Sequence, residues 1–410
     1  MKELSNQLNE FLSGETLLKK MMVVPEYKEG LDRVQDRLVA LMDIYKLFIP
    51  TLTNVDIYNR LYLSVLCSLE KKNTVEEVRQ LNENFKNRKS TQDKRYGIIG
   101  GLDSFKILGA AGIGKSSAIQ RCIDLISDNN LLVSEIPYKE VIPVLYVESV
   151  ADGSFKNLLY SILKEVDNKL GTNYFNVNNR TTMNADTLLV LTSSILTNHV
   201  CVLVVDEIER VANDSRRGET LINYLTQLVN QSNISICFVG NISTNKYFSS
   251  KEYLSRRMIG IEMKKLEYDD HFYRFCELMF RYQYTKEKVQ FDSSYATLFY
   301  KLTNGNTAMM KSLFIEAQKH SIITGIEKLS LDLIKDTFIK YFSTMVNHIN
   351  MDDINKKKPI KEETIVKLDT NEDYEKEDLF EHVRNVSNKD INRALCYLKE
   401  KVAVEFCTYD

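Results

Sequence analysis

A chain of 410 residues, at about 100–200 residues per domain, holds two or three domains. Its 44% hydrophobic and 27% charged residues exclude a disordered, collagen-like or repeat-dominated chain. The 54 basic and 56 acidic side chains leave a formal net charge of −2, so any nucleic-acid surface must be a local patch.

The seven cysteines form no C-x-x-C pair, and most lie in apolar runs; they read as buried free thiols of a reducing cytoplasm, not as a disulfide frame or zinc site. The start, Met1 to Asn6, lacks the apolar core and small-residue cleavage site of a signal peptide. The most hydrophobic run, Val200 to Val205, has strand length. A cytoplasmic protein without a membrane segment is expected.

Residues 1–95 are polar and mostly helical in pattern, ending in a basic stretch with Lys86, Arg88, Lys89, Lys94 and Arg95. They are expected to form an N-terminal helical element and linker. Over residues 96–265, short β-rich apolar runs alternate with helical periodicity, the pattern of strand-helix units around a parallel sheet. The spacing predicts five strands, at 104–108, 142–148, 200–205, 234–239 and 259–263. Phe155, Leu158, Leu159, Ile162, Leu163, Val166 and Leu170 mark one helix face, and Leu221, Tyr224, Leu225, Leu228 and Val229 another. From 266 to 350 only helical periodicity remains, the mark of a separate helical lid. Residues 351–410 are charged, with an acidic run from Glu372 to Glu381, and read as a mobile tail or a partner-docking segment.

The most informative segment is Gly109-Ala110-Ala111-Gly112-Ile113-Gly114-Lys115-Ser116, followed by Ser117, which satisfies G-x-x-x-x-G-K-[ST]. It follows the apolar run Phe105 to Leu108 and opens a helical pattern through Ile119, Cys122, Ile123 and Ile126. Glycines let successive backbone N–H groups converge on phosphate oxygens, and the helix start adds the positive end of a dipole. Lys115 is placed to reach the β- and γ-phosphates, and the Ser116 hydroxyl to ligate Mg²⁺.

About ninety residues later the apolar run Val200 to Val205 ends in Asp206-Glu207. Asp206 is expected in the Mg²⁺ shell, and Glu207 beside it as the group that polarises the attacking water. The next strand runs into Gly240-Asn241, where Asn241 is either a sensor of the γ-phosphate or a turn and capping residue. Arg256 and Arg257 form either a surface basic pair or a donor to a neighbouring subunit's nucleotide; an arginine supplied in trans is worth about 10³–10⁵ in rate. Lys156, Arg216 and Arg217 are candidate DNA contacts, with ordinary surface charge as the plain alternative.

With these residues in place, the chain resembles the AAA+ ATPases, and within them the TnsC/TniB-type regulators of bacterial transposition, over roughly residues 45–345. The phosphate loop and Asp206-Glu207-Ile208 carry part of the likeness. More telling are Ile49-Pro50-Thr51, the block Glu148 to Leu158 with its Asp152-Gly153-Ser154, Leu170-Gly171-Thr172-Asn173-Tyr174, and Ser255-Arg256-Arg257. The resemblance implies an α/β AAA+ P-loop fold, a five-stranded parallel sheet flanked by helices, plus a helical lid and a mobile C-terminal tail.

It further implies ATP and Mg²⁺ as cofactors and assembly into rings or filaments on double-stranded DNA. Transposase subunits of TnsA/TnsB type and a target selector of TniQ/TnsD type are the implied partners. Asn241 matches the family's first sensor and Arg256 or Arg257 its trans-acting arginine. Where many AAA+ lids carry a basic residue soon after a Gly-Asn pair, Gly305-Asn306-Thr307-Ala308 has none before Lys311, which is the candidate second sensor. The competing readings are a STAND-type signalling switch and an origin-recognition-type initiator ATPase.

Overall fold

The computed structural model describes residues 4–72, 104–135, 138–149, 154–179, 183–212, 215–232, 234–249 and 258–342. The chain divides into two compact units. The first joins residues up to Phe11 with Thr53–Lys264, and the second joins Leu12–Leu52 with the chain from Lys265 onward.

The first unit is built on a sheet of β1 (Phe105–Gly109), β2 (Leu132–Glu135), β3 (Tyr138–Glu148), β4 (Val200–Asp206), β5 (Ser235–Gly240) and β6 (Ile259–Met263). The order is β2-β3-β4-β5-β1-β6. Five strands run parallel, as the alternation of strands and helices implies. The sixth, β2, is an addition to the expected five and makes the sheet mixed: it pairs antiparallel with β3, Leu132 opposite Val141. Four residues, Leu-Val-Ser-Glu, are too short to show a period of two, so their strand character comes from the neighbour. Pairing with β2 also explains why β3 begins at Tyr138, since its pairing with β4 starts only at Ile142 opposite Val200.

β4 lies in the interior of the sheet and every one of its residues is buried, which is why Val-Cys-Val-Leu-Val-Val reads as an unbroken apolar run. The helix Phe155–Leu170 turns Phe155, Leu158, Leu159, Ile162, Leu163 and Val166 into the core, the expected face; Leu170 packs partly buried against it. Leu225, Leu228 and Val229 of Ser215–Ser232 join the same core, and Tyr224 stacks on Phe155 at 4.6 Å. Asp167 ends the helix Phe155–Leu170 by accepting from the Thr172 hydroxyl and the Tyr174 and Phe175 amides at 2.6–2.8 Å. The Leu-Gly-Thr-Asn-Tyr block is thus a folded turn around one carboxylate, with Gly171 at φ 67°.

The expected N-terminal element of residues 1–95 is not one piece. The helix Leu52–Lys72 packs with the first unit, whereas Leu12–Leu52 packs with the lid helices. Its Leu41, Ile44 and Leu47 are fully buried in the cluster that holds Phe272, Phe299 and Phe314. Periodicity shows that a segment has an apolar face; it does not show which partner covers it. The remainder of the linker, 73–103, lies outside the described residues, as do 351–410.

In the second unit Gly305 connects two helices at φ +69°, and a Cβ there would stand 1.9 Å from the Leu266 carbonyl oxygen. Asn306 caps the next helix, Thr307–Thr324, its side chain accepting from the Met309 amide. Arg37, 4% exposed, grips Glu327 through two hydrogen bonds of 2.7 and 2.8 Å. That contact holds the Glu327 carboxyl below its ordinary value near 4.5.

Glu327→Gln leaves a buried guanidinium without its counter-charge, a loss of about 3–5 kcal/mol at neutral pH. Because the folded-state value is depressed, the pair's contribution is complete above about pH 4.5 and drains away as pH falls through the lower folded value. Urea unfolding of both proteins from pH 7 down to pH 3 should show a wide gap that narrows in acid.

Candidate functional site

The phosphate loop bridges the end of β1 and the helix Lys115–Ser127. Gly112 and Gly114 take φ of 76° and 89°, a backbone that side chains resist. A Cβ on Gly109 would meet Ile113 Cδ1 at 2.3 Å and the Met263 carbonyl at 2.7 Å, so glycine is required for closeness there. Ile113 is buried beneath the loop, while Ala111, Gly112 and Ser117 are exposed. The first-turn amides of Lys115–Ser127 have no helical carbonyl before them and face the loop. Lys115 is 7% exposed, and its ammonium donates to the carbonyls of Gly109 and Ala110, both at 3.0 Å.

Asp206 is 1% exposed. Its Oδ2 accepts from Ser116 Oγ at 2.6 Å and from the Tyr146 hydroxyl at 2.5 Å. Its Oδ1 accepts from the Glu207 amide at 2.7 Å. The structure therefore brings the phosphate-loop serine and the acid strand together, ninety positions apart in the chain. A hydroxyl and a carboxylate oxygen side by side are hard oxygen donors of the kind Mg²⁺ takes, along with phosphate oxygens and water. The residues present fit that ion.

Glu207 sits at φ 55°, an uncommon backbone for a residue with a side chain and the kind of local strain found at functional positions. Burial, and then the nearby Glu209 carboxylate, push the Glu207 carboxyl above its ordinary value, with Arg210 opposing. Arg210 Nε lies 3.6 Å from Glu207 Oε2, and Arg210 Nη1 lies 2.7 Å from Glu148 Oε1 and 3.2 Å from the Ser149 carbonyl. Glu209 Oε2 in turn accepts from the Asn241 amide at 3.2 Å. The turn after β4 is thereby fastened to the ends of β3 and β5.

β5 lies between β1 and β4 in the sheet, which places Asn241, just past its end, between the phosphate-loop strand and the acid strand. The Asn241 side chain accepts from the Ser243 amide at 3.4 Å and caps the turn Ile242–Thr244, the second of its two expected roles. Lys311 Nζ donates to the Leu47 and Tyr45 carbonyls at 2.5 and 3.3 Å. Burial lowers the pKa of that ammonium to about 8. These contacts tie down the end of the turn Leu41–Lys46, and service as a second sensor would require the ammonium to leave both carbonyls.

Lys156 lies on the first turn of its helix with the ammonium 5.7 Å from the centre of the Tyr160 ring. Arg216 and Arg217 open the helix Ser215–Ser232, and their side chains lie outside the described residues, as do Arg256, Arg257 and residues 150–153 of the Asp-Gly-Ser block. Tyr146, Glu209 and Arg210 are additions that the sequence reading lacks. A signal for Tyr146 was present: its hydroxyl interrupts an apolar strand and needs a partner when buried.

Among the described residues no helix is long and apolar enough to cross a membrane. Cys122, Cys201, Cys237 and Cys276 are buried free thiols, as expected, while the free Cys67 is exposed.

A phosphate loop after one strand, an acid pair at the end of another and a strand between them make the α/β P-loop fold of the AAA+ class. Residues 100–268, which include the whole of this site, match the family model described as Bacterial TniB protein. That segment, less than half of the chain, is similar to the TniB family.

No curated protein matches it. Among solved structures it is similar to Drosophila ORC bound to DNA, with TM-score 0.44 and 11% identity over 77% of this chain and 69% of that one. It is also similar to the Aeropyrum pernix ORC1 protein in complex with DNA, with TM-score 0.42 and 13% identity over 65% and 64%. Domain III of the Thermotoga maritima replication initiation protein DnaA gives TM-score 0.35 and 12% identity over 65% and 93%. Likenesses of this size carry no functional weight.

Proposed function

We propose that this chain is an ATP-dependent DNA-binding regulator of transposition. In this reading it oligomerises on double-stranded DNA and couples target-site selection to transposase recruitment. The observation that carries the reading is the Ser116–Asp206 contact inside the segment that matches the TniB model. Together these support reading the segment as a nucleotide and metal site of a TniB-like protein.

On ATP binding, the Lys115 ammonium exchanges its two loop carbonyls for β- and γ-phosphate oxygens, and the amides of residues 110–116 surround the β-phosphate. Ser116 and Asp206 would hold a Mg²⁺ ion, which would supply positive charge against the triphosphate. Glu207 takes the proton of the attacking water, and Asn241 orients that water or the γ-phosphate. Arg256 or Arg257, offered to the next subunit's nucleotide, makes hydrolysis depend on assembly.

Repetition around a ring or filament lets Lys156, Arg216 and Arg217 grip phosphates although the monomer carries a formal charge of −2. Residues 351–410 are the segment proposed to dock a TnsA/TnsB-like transposase, with a TniQ/TnsD-like selector engaging the assembly elsewhere. Location in the cytoplasm belongs to the same reading.

Electron microscopy of the full chain mixed with duplex DNA at low salt tests it. With ATP, rings or filaments threaded on the DNA are expected, and with ADP far fewer. Discrete monomers and no retained DNA with ATP present would defeat the proposal.

A further inference from the structure

Tyr146 stands on β3 opposite Val204 of β4. Paired residues of a parallel sheet project to the same face, and so do residues two apart on one strand. Tyr146 therefore shares a face with Asp206, which lies one step diagonally along β4. From there its hydroxyl reaches Asp206 Oδ2, the oxygen that also accepts from Ser116. In that contact the phenol hydroxyl donates and the carboxylate oxygen accepts.

We infer that Tyr146 is a positioning residue of the metal site: its hydroxyl fixes the Asp206 carboxylate in the orientation that Mg²⁺ and Glu207 need. The inference deepens the proposed ATP reading and rests on it. Two hydroxyl protons converge on Oδ2 in this structure. Ser116 would bind the ion through an oxygen lone pair, so its hydroxyl would be shared between ion and carboxylate, whereas the Tyr146 hydroxyl serves the carboxylate alone. Asp206 is too buried for water to take over. The other carboxylate oxygen holds the Glu207 amide, so a carboxylate free to rotate about its Cβ–Cγ bond would also release the turn that aims Glu207. Partners of this kind, one step removed from a metal, typically govern affinity or activity by about 10–100-fold.

The test is Tyr146→Phe in the full chain, which keeps the ring and removes one oxygen. Binding of a fluorescent, non-hydrolysable ATP analogue is titrated with Mg²⁺, and separately measured in EDTA. Thermal unfolding of both proteins without nucleotide accompanies it.

The half-saturating Mg²⁺ concentration is expected to rise about tenfold or more, with metal-free analogue affinity within about twofold of wild type and native-like melting. An unchanged Mg²⁺ midpoint would overturn the inference. So would equal losses of binding with and without Mg²⁺, because a merely structural tyrosine would produce them. Should Tyr146→Phe fold poorly, Tyr146→His, whose ring nitrogen can donate, is expected to keep a midpoint nearer wild type than Tyr146→Leu; equal midpoints overturn the inference. If the wild-type chain binds no analogue under any condition, the ATP reading itself falls, which separates that failure from a failure confined to Tyr146.

Discussion

Glu207→Gln is expected to bind ATP as tightly as the wild-type chain and to hydrolyse it about 10²–10⁴ times more slowly, the range a general base contributes. The glutamine keeps the shape of the side chain and the Glu207 amide bond to Asp206 Oδ1, so the phosphate site stays built. What it lacks is an oxygen able to take a proton. The φ of 55° at this residue and the fastening of its turn to the ends of β3 and β5 fix the backbone from which the Glu207 side chain springs, with Arg210 Nε 3.6 Å from its carboxylate. Single-turnover hydrolysis and equilibrium nucleotide binding, measured together, check the expectation. The variant should also accumulate on duplex DNA with ATP, since the triphosphate form persists. Hydrolysis at the normal rate would remove Glu207 from the role of base.

Lys115→Ala is expected to weaken ATP binding at least about a hundredfold, the equivalent of roughly 3 kcal/mol. The ammonium is buried against the loop and held by the carbonyls of Gly109 and Ala110, within a side chain's swing of where phosphate oxygens must lie. Alanine removes the charge and also leaves those two carbonyls without their donor, so some loss of stability accompanies the loss of affinity. Calorimetric titration separates the two effects when the variant's melting curve is recorded alongside. Binding within tenfold of wild type would mean that the loop does not hold the triphosphate.

The phosphate loop and the acid pair were legible in the sequence because their chemistry is local. Phosphate capture needs consecutive amides with glycines at positive φ, and a buried strand needs an unbroken apolar run ending where the chain emerges. The strand–helix alternation was readable for the same reason. β2 was not, since Leu132–Glu135 owes its conformation to Val141 and its neighbours on β3. The covering of Leu12–Leu52 by lid helices was equally silent, because an amphipathic face states a need for burial and leaves the partner open.

Tyr146 belongs to the same kind of omission: its contact with Asp206 depends on the register between two strands, and register is a property of the folded sheet. Gly305-Asn306 shows the converse. The pair matched a family landmark, yet the structure accounts for both residues through a left-handed turn against Leu266 and a helix cap on Met309.

The most direct measurement is equilibrium titration of the full chain with ATP and Mg²⁺, with and without duplex DNA. The account predicts saturable binding of one ATP per chain, strengthened by DNA because subunits that pack on the duplex close over one another's nucleotide. No detectable affinity for ATP or any other purine triphosphate, even with duplex DNA present, would contradict it.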